Sequence, residues 1–126
     1  MGLSLLILPA WILGGYPGVS LFMAFLGALL VREIRTFRPD AVFTHDPDVI
    51  VYARGGINHT DHRAAGIAAI DAVYPAARNP MAFPHLARNG LELQRVRRVY
   101  LFWPNEPDTW VDTSATIDRK IGALRE

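Results

Sequence analysis

Apolar and polar positions divide the chain into two regions. Up to Val31 the residues are apolar, small or uncharged, and from Arg32 onward charged residues are interleaved throughout. Leu29, Leu30, Glu33, Ile34 and Phe37 recur at helical spacing as a mainly apolar stripe with charges on the other side, which predicts a helix over residues 26–37. Arg38-Pro39-Asp40 stops it, because the residue before a proline avoids the helical region. The run 41–44 follows at once. Its adjacent Val42 and Phe43 predict a strand covered on both faces. Residues 46–58 are polar and long for a connection, and such loops are usually functional.

Alanines at 65, 68, 69 and 72, with Val73, give residues 62–74 a small-residue helical face that can pack closely on a sheet. Pro75 ends that helix. Residues 76–90 read as irregular, with a short helical turn near His85 to Arg88 closed by Asn89-Gly90. His85 is expected at the surface. Residues 96–102 read as a strand, 103–107 as a turn-rich loop, 109–111 as a short strand, and 114–126 as a helix with Ile117, Ile121 and Leu124 on one face. The expected fold class is α/β.

No Asp, Glu, Lys or Arg precedes Arg32. Pro9, Gly14, Gly15, Pro17 and Gly18 interrupt this apolar segment. The cleaner run from Val19 to Val31 is shorter than the roughly 20 residues of a membrane-spanning helix. Including Leu3 reaches that length with a broken helix. Arg32, Arg35 and Arg38 would then face the cytoplasm. A signal peptide fits poorly, since no positive residue precedes the apolar region. Three readings fit the segment: a membrane anchor, a buried hydrophobic segment, or sequence foreign to the domain that follows.

Composition narrows the chemistry. The net charge of +1 gives no case for nucleic-acid binding. The absence of cysteine excludes disulfides and a thiolate zinc site, leaving His and carboxylate ligands. It is also compatible with a reducing cytoplasm, the expected location, with membrane contact through residues 1–31 as the alternative.

The densest chemistry lies in Gly55-Gly56-Ile57-Asn58-His59-Thr60-Asp61-His62-Arg63. Thr60 is expected to cap the following helix, which puts Asp61 and His62 in its first turn. The helix dipole there disfavours imidazolium and favours the neutral imidazole that binds metal. It also stabilises a developing oxyanion. His59 reaches the same space from the loop, and Asp61 can orient an imidazole. Upstream, Asp46 contacts a sugar hydroxyl, supports a metal shell, or forms an Asx-turn before Pro47. Arg54 is either solvated or a contact for an anionic group. Trp103 either packs or walls a sugar pocket.

Phe37 to Pro47, then Asn58 to Gly66, together with Asp71 to Asn79 and Val96 to Leu101, resemble the PIG-L / LmbE-like family of zinc-dependent N-deacetylases. The resemblance covers residues 32–126. It implies a three-layer Rossmann-like (LmbE-like) sheet with flanking helices, and a hydrolase that removes an acetyl group from an N-acetylglucosamine conjugate with one Zn2+. It implies His62 as a zinc ligand, His59 as the histidine that assists the tetrahedral intermediate, and Asp61 as its acidic partner. Asp46 and Asn58 are the expected substrate contacts. The family's N-terminal His-Pro-Asp-Asp motif, which supplies the other ligands and the general base, has no counterpart in this chain. The implied domain is therefore incomplete. Its abrupt start near Arg32 favours a foreign origin for residues 1–31. Two rivals remain: a non-catalytic, membrane-attached or sugar-binding remnant, and a different metal hydrolase completed by His45 and Asp46.

Overall fold

A computed structural model describes residues 17–126, with side chains described from residue 25 onward. It shows a mixed α/β arrangement of four α-helices and a two-stranded parallel sheet. In chain order these are α1 (Pro17–Phe37), β1 (Ala41–His45), α2 (Thr60–Val73), a 3-10 turn (Ala76–Arg78), α3 (Pro84–Arg88), β2 (Arg98–Phe102) and α4 (Ile117–Ala123). Among the described residues, no helix is long and apolar enough to cross a membrane. The rest of the apolar segment, residues 1–16, lies outside the described residues. Helix α1 runs without a break across the expected boundary at residue 31, and Val31 is fully buried.

Strands β1 and β2 pair in parallel register, from Ala41 beside Arg98 to His45 beside Phe102. Parallel neighbours need a long crossover. Here it runs through the 46–59 loop, α2, the 3-10 turn and α3. Val31 and Ile34 of α1, Ala72 and Val73 of α2, Ala77, Leu86 and Val96 form the core, and Val42 packs against it from the strand. Helices therefore cover the sheet face that bears Val42 and Thr44. Among the described residues, the opposite face is open. Phe43 there is 66 % exposed and stacks only on its register partner Tyr100, with ring centroids 4.8 Å apart. This corrects the expectation of a strand covered on both faces. Adjacent apolar residues signal two apolar sides, but among the described residues no element lies over the second.

The buried stripe of α1 is also not the expected one. Leu29 and Phe37 are exposed, whereas Val31, Ile34 and Arg35 are buried. Arg35, at 2 % exposure, does not reach toward solvent as its charge suggested. Its guanidinium donates to the carbonyls of Ala76, Ala77, Asn79, Ala82 and Phe83. The irregular 76–83 segment turns its carbonyls inward, and a fixed fork of five N–H donors satisfies them.

The remaining differences are local. Arg38 ends α1 in a left-handed conformation, with φ 55°, and its N–H donates to Ile34 O. Val96 is buried in the core and lies ahead of β2, which starts at Arg98. Residues 109–111 form no strand, because no neighbouring strand offers them a ladder. Helix α4 is shorter than expected. Asp112 and Ser114 form an Asx-turn before it, and Ile117, Ile121 and Leu124 remain exposed.

Candidate functional site

The carboxyl ends of β1 and β2 and the first turn of α2 meet at one place. A single residue lets them approach. A Cβ on Gly66 would lie 2.5 Å from His45 O and 3.2 Å from the ring of Pro47. With glycine there, α2 rests directly on the end of β1. His62, one turn earlier, then stacks on His45, with ring centroids 4.0 Å apart and planes 3° from parallel. Phe102 and Trp103, at the end of β2, close around His45 at 4.3 and 5.5 Å. His62 lies 6.2 Å from Trp103 and 5.9 Å from His59. The structure thus gathers His45 and His62 beside one indole, with His59 next to His62.

The helix start differs from the expectation by one residue. His59, not Thr60, is the N-cap, and its Nδ1 accepts the Asp61 backbone N–H at 3.2 Å. An imidazole nitrogen does here what a serine or aspartate oxygen usually does. Asp61 Oδ2 also lies 3.4 Å from the same nitrogen. The two contacts belong to different protonation states, because Nδ1 cannot accept one hydrogen bond and donate another. In the neutral ring Nδ1 keeps the cap and the proton sits on Nε2. In the protonated ring Nδ1–H turns to the carboxylate. Asp61 thus faces His59 Nδ1 through both its backbone and its carboxylate.

His45 and His62 each present a buried Nδ1 that has no hydrogen-bond partner among the described residues. The pKa of His45 is lowered from its ordinary value, first by burial and then by the neighbouring His62. Stacked imidazoles disfavour two charges at once, which keeps His45 neutral at physiological pH.

Asp46 takes the Asx-turn alternative. Its Oδ1 accepts the Asp48 N–H at 3.0 Å. Asn58, expected at the substrate, is 2 % exposed. Its Nδ2 donates to Val49 O at 2.9 Å and Asp46 O at 3.2 Å, and its own N–H donates to Ile50 O. Asn58 therefore fixes the loop that carries His59. Within that loop Val51 and Ile57 form an antiparallel bridge, and Gly55 and Gly56 turn the chain with φ of 92° and 100°. Asn105 holds the turn from across the site: Ala53 N–H donates to its Oδ1 at 2.8 Å, and its Nδ2 donates to Val51 O at 3.1 Å. Sequence reasoning gave Asn105 no role. It lies far along the chain from Val51 and Ala53, and no local pattern marks it.

The zinc expected from the resemblance can be tested against this geometry. Zinc binds in the plane of an imidazole at about 2.0–2.1 Å, with three or four ligands converging on it. The rings of His45 and His62 lie in parallel planes, so their in-plane lone pairs do not converge. Among the described residues, no group of three His, Cys, Asp or Glu side chains could hold a metal ion. The described residues alone do not fit the ion.

No model of a known protein family matches the chain, and no curated protein does.

Proposed function

We propose that this chain carries one half of a PIG-L / LmbE-like N-deacetylase site, acting on an N-acetylglucosamine conjugate. The observation that supports this best is the convergence at the sheet's carboxyl end. A strand, a long loop and a helix start deliver His45, His59, Asp61 and His62 to the place where open α/β folds bind ligands. In the neutral tautomer that keeps the cap, His59 presents Nε2–H as a donor to a developing oxyanion. When Nδ1 takes up the proton released by the attacking water, Asp61 stabilises the imidazolium, and Nε2 gives its own proton to the leaving amine, which leaves a neutral ring. His62 stands as the ligand contributed by this half.

The completing groups lie elsewhere. Residues 1–16 contain no His, Cys, Asp or Glu, so in this reading a second copy of the chain supplies the remaining ligands and the water-activating carboxylate. The same holds for the fold. A three-layer Rossmann-like sheet requires further strands beside β1 or β2 and a layer over Phe43 and Tyr100. We place the chain in the cytoplasm, in keeping with its lack of cysteine.

The test is amine release from an N-acetylglucosamine glycoside in the presence of zinc, followed with an amine-reactive fluorophore. A rate above the zinc-only blank that is lost in both His59→Ala and His62→Ala is the expected result. A rate equal to the blank refutes the deacetylase reading for this chain.

One observation favours a second reading. The described residues lack a three-ligand cluster, yet Trp103, which stands against His45 and His62, also walls an open cavity. A non-catalytic sugar-binding remnant needs only the latter. Sugar binding without turnover, unchanged by His62→Ala, is its signature.

A further inference from the structure

We propose that the cavity between the 52–55 turn and the 103–107 loop binds a sugar ring bearing an anionic group, either phosphate or carboxylate. This deepens the deacetylase reading and rests on it only for turning the sugar's acetamide toward His62. The binding itself stands independently.

The cavity measures about 480 Å3, within the usual range for small-molecule sites. Tyr52 and Trp103 supply its aromatic walls, and Pro104 and Pro107 extend the apolar surface. Trp103 is 61 % exposed and Tyr52 meets its ring edge-on at 6.3 Å, so the indole keeps a surface for the C–H face of a pyranose. The backbone of Trp103 is held at φ 64°, a conformation costly for any residue but glycine. That turn points one indole both at the histidines and into the cavity.

Charge selects the ligand. Among the described residues, Arg54 is the one charged side chain lining the cavity, and no carboxylate pairs with it. The acidic side chains of this region, Asp46, Glu106 and Asp108, line a separate groove along the open sheet face. Arg54 is therefore available for the fork-shaped pairing that guanidinium makes with phosphate or carboxylate. Its position is fixed from below. The 52–55 turn closes through Gly55 N–H to Tyr52 O at 2.9 Å, and Asn105 ties that turn to the loop bearing Trp103. Both walls are thus built before a ligand arrives, which reduces the ordering cost of binding.

The experiment titrates the full chain with glucose 1-phosphate, glucuronate and glucose, none of which carries an acetamide. The indole N–H resonance of Trp103, identified through Trp103→Phe, reports binding. Both anionic sugars are expected to shift it, and a preference between them tells phosphate from carboxylate. Glucose should bind about tenfold or more weakly, as one charge-assisted contact is lost. Arg54→Gln, at an exposed position, should abolish the difference between charged and neutral sugar while leaving the amide spectrum dispersed. Equal binding of glucose and glucose 1-phosphate overturns the proposal. So does an unchanged preference in Arg54→Gln. The outcomes also separate the two readings: Arg54-dependent sugar-phosphate binding without acetyl hydrolysis retains this site and removes the deacetylase. His62-dependent hydrolysis whose KM for an anionic conjugate is unmoved by Arg54→Gln does the reverse.

Discussion

Replacing Arg35 by methionine isolates the contribution of the buried guanidinium, because methionine keeps much of the side-chain volume and removes every donor. Nη2 makes three contacts of 3.1–3.2 Å, to the carbonyls of Ala76, Asn79 and Ala82. It has two hydrogens, so these amount to two full hydrogen bonds with one shared. The contacts of Nε and Nη1, at 3.4 and 3.5 Å, are long and add less. A hydrogen bond to a charged group contributes about 1.5–3 kcal/mol, so two full bonds give a loss of about 3–6 kcal/mol. Removing a buried charge recovers part of the desolvation penalty, which makes isosteric apolar replacement of whole ion pairs nearly neutral. Here only the cation leaves and the inward carbonyls stay, so the expected net loss is about 3 kcal/mol. With a urea m-value of about 1.5 kcal/mol per molar, the unfolding midpoint should fall by about 2 M. Against a typical stability of about 5–15 kcal/mol, this is a large fraction. Urea denaturation followed by circular dichroism measures it directly. Arg35→Lys, whose compact ammonium cannot span the same carbonyls, should fall between the two. A midpoint for Arg35→Met within about 0.3 M of the unmodified chain would refute the argument, and would mean that water satisfies the 76–83 carbonyls equally well.

Other substitutions probe the site. Gly66→Ala should cost about 1–3 kcal/mol by overpacking α2 against His45 O and Pro47, and loss of the His45–His62 ring-current shifts would show the helix displaced. Asn58→Ala removes the donors to Asp46 O and Val49 O, so amides of the 46–58 loop should exchange with solvent at least about tenfold faster, while the α1 amides keep their protection. Stability should also depend on pH through His45. Its folded pKa lies below the ordinary 6.5, so the unfolded chain binds the proton more readily. The contribution is present above pH 6.5 and is lost as the pH falls toward the folded value. Unfolding midpoints measured between pH 5 and 8 should show this slope, and His45→Gln should flatten it.

Much of the architecture was legible in the order of residues. The helix stop at Arg38-Pro39, the strand after it, the helix ending before Pro75 and the turn closed by Asn89-Gly90 all depend on local backbone preferences, and the structure places them within a few residues of expectation. The His59, Asp61 and His62 cluster was visible for the same reason, since a helix start sets their relative positions through spacing alone. Tertiary structure decided the rest. Whether Phe43 is covered depends on which helices pack over which face, and strand periodicity is silent on that. Arg35 looked like a surface charge because a sequence shows the charge and not the carbonyls of the distant 76–83 segment that replace its water. His45 joined His62 because Gly66 lets a helix rest on a strand end. Asn105 became a clamp because β2 carries it beside the turn at Val51 and Ala53, far earlier in the chain. Local propensity acts through neighbours along the chain. Contacts across the fold follow from packing, which the sequence specifies only collectively.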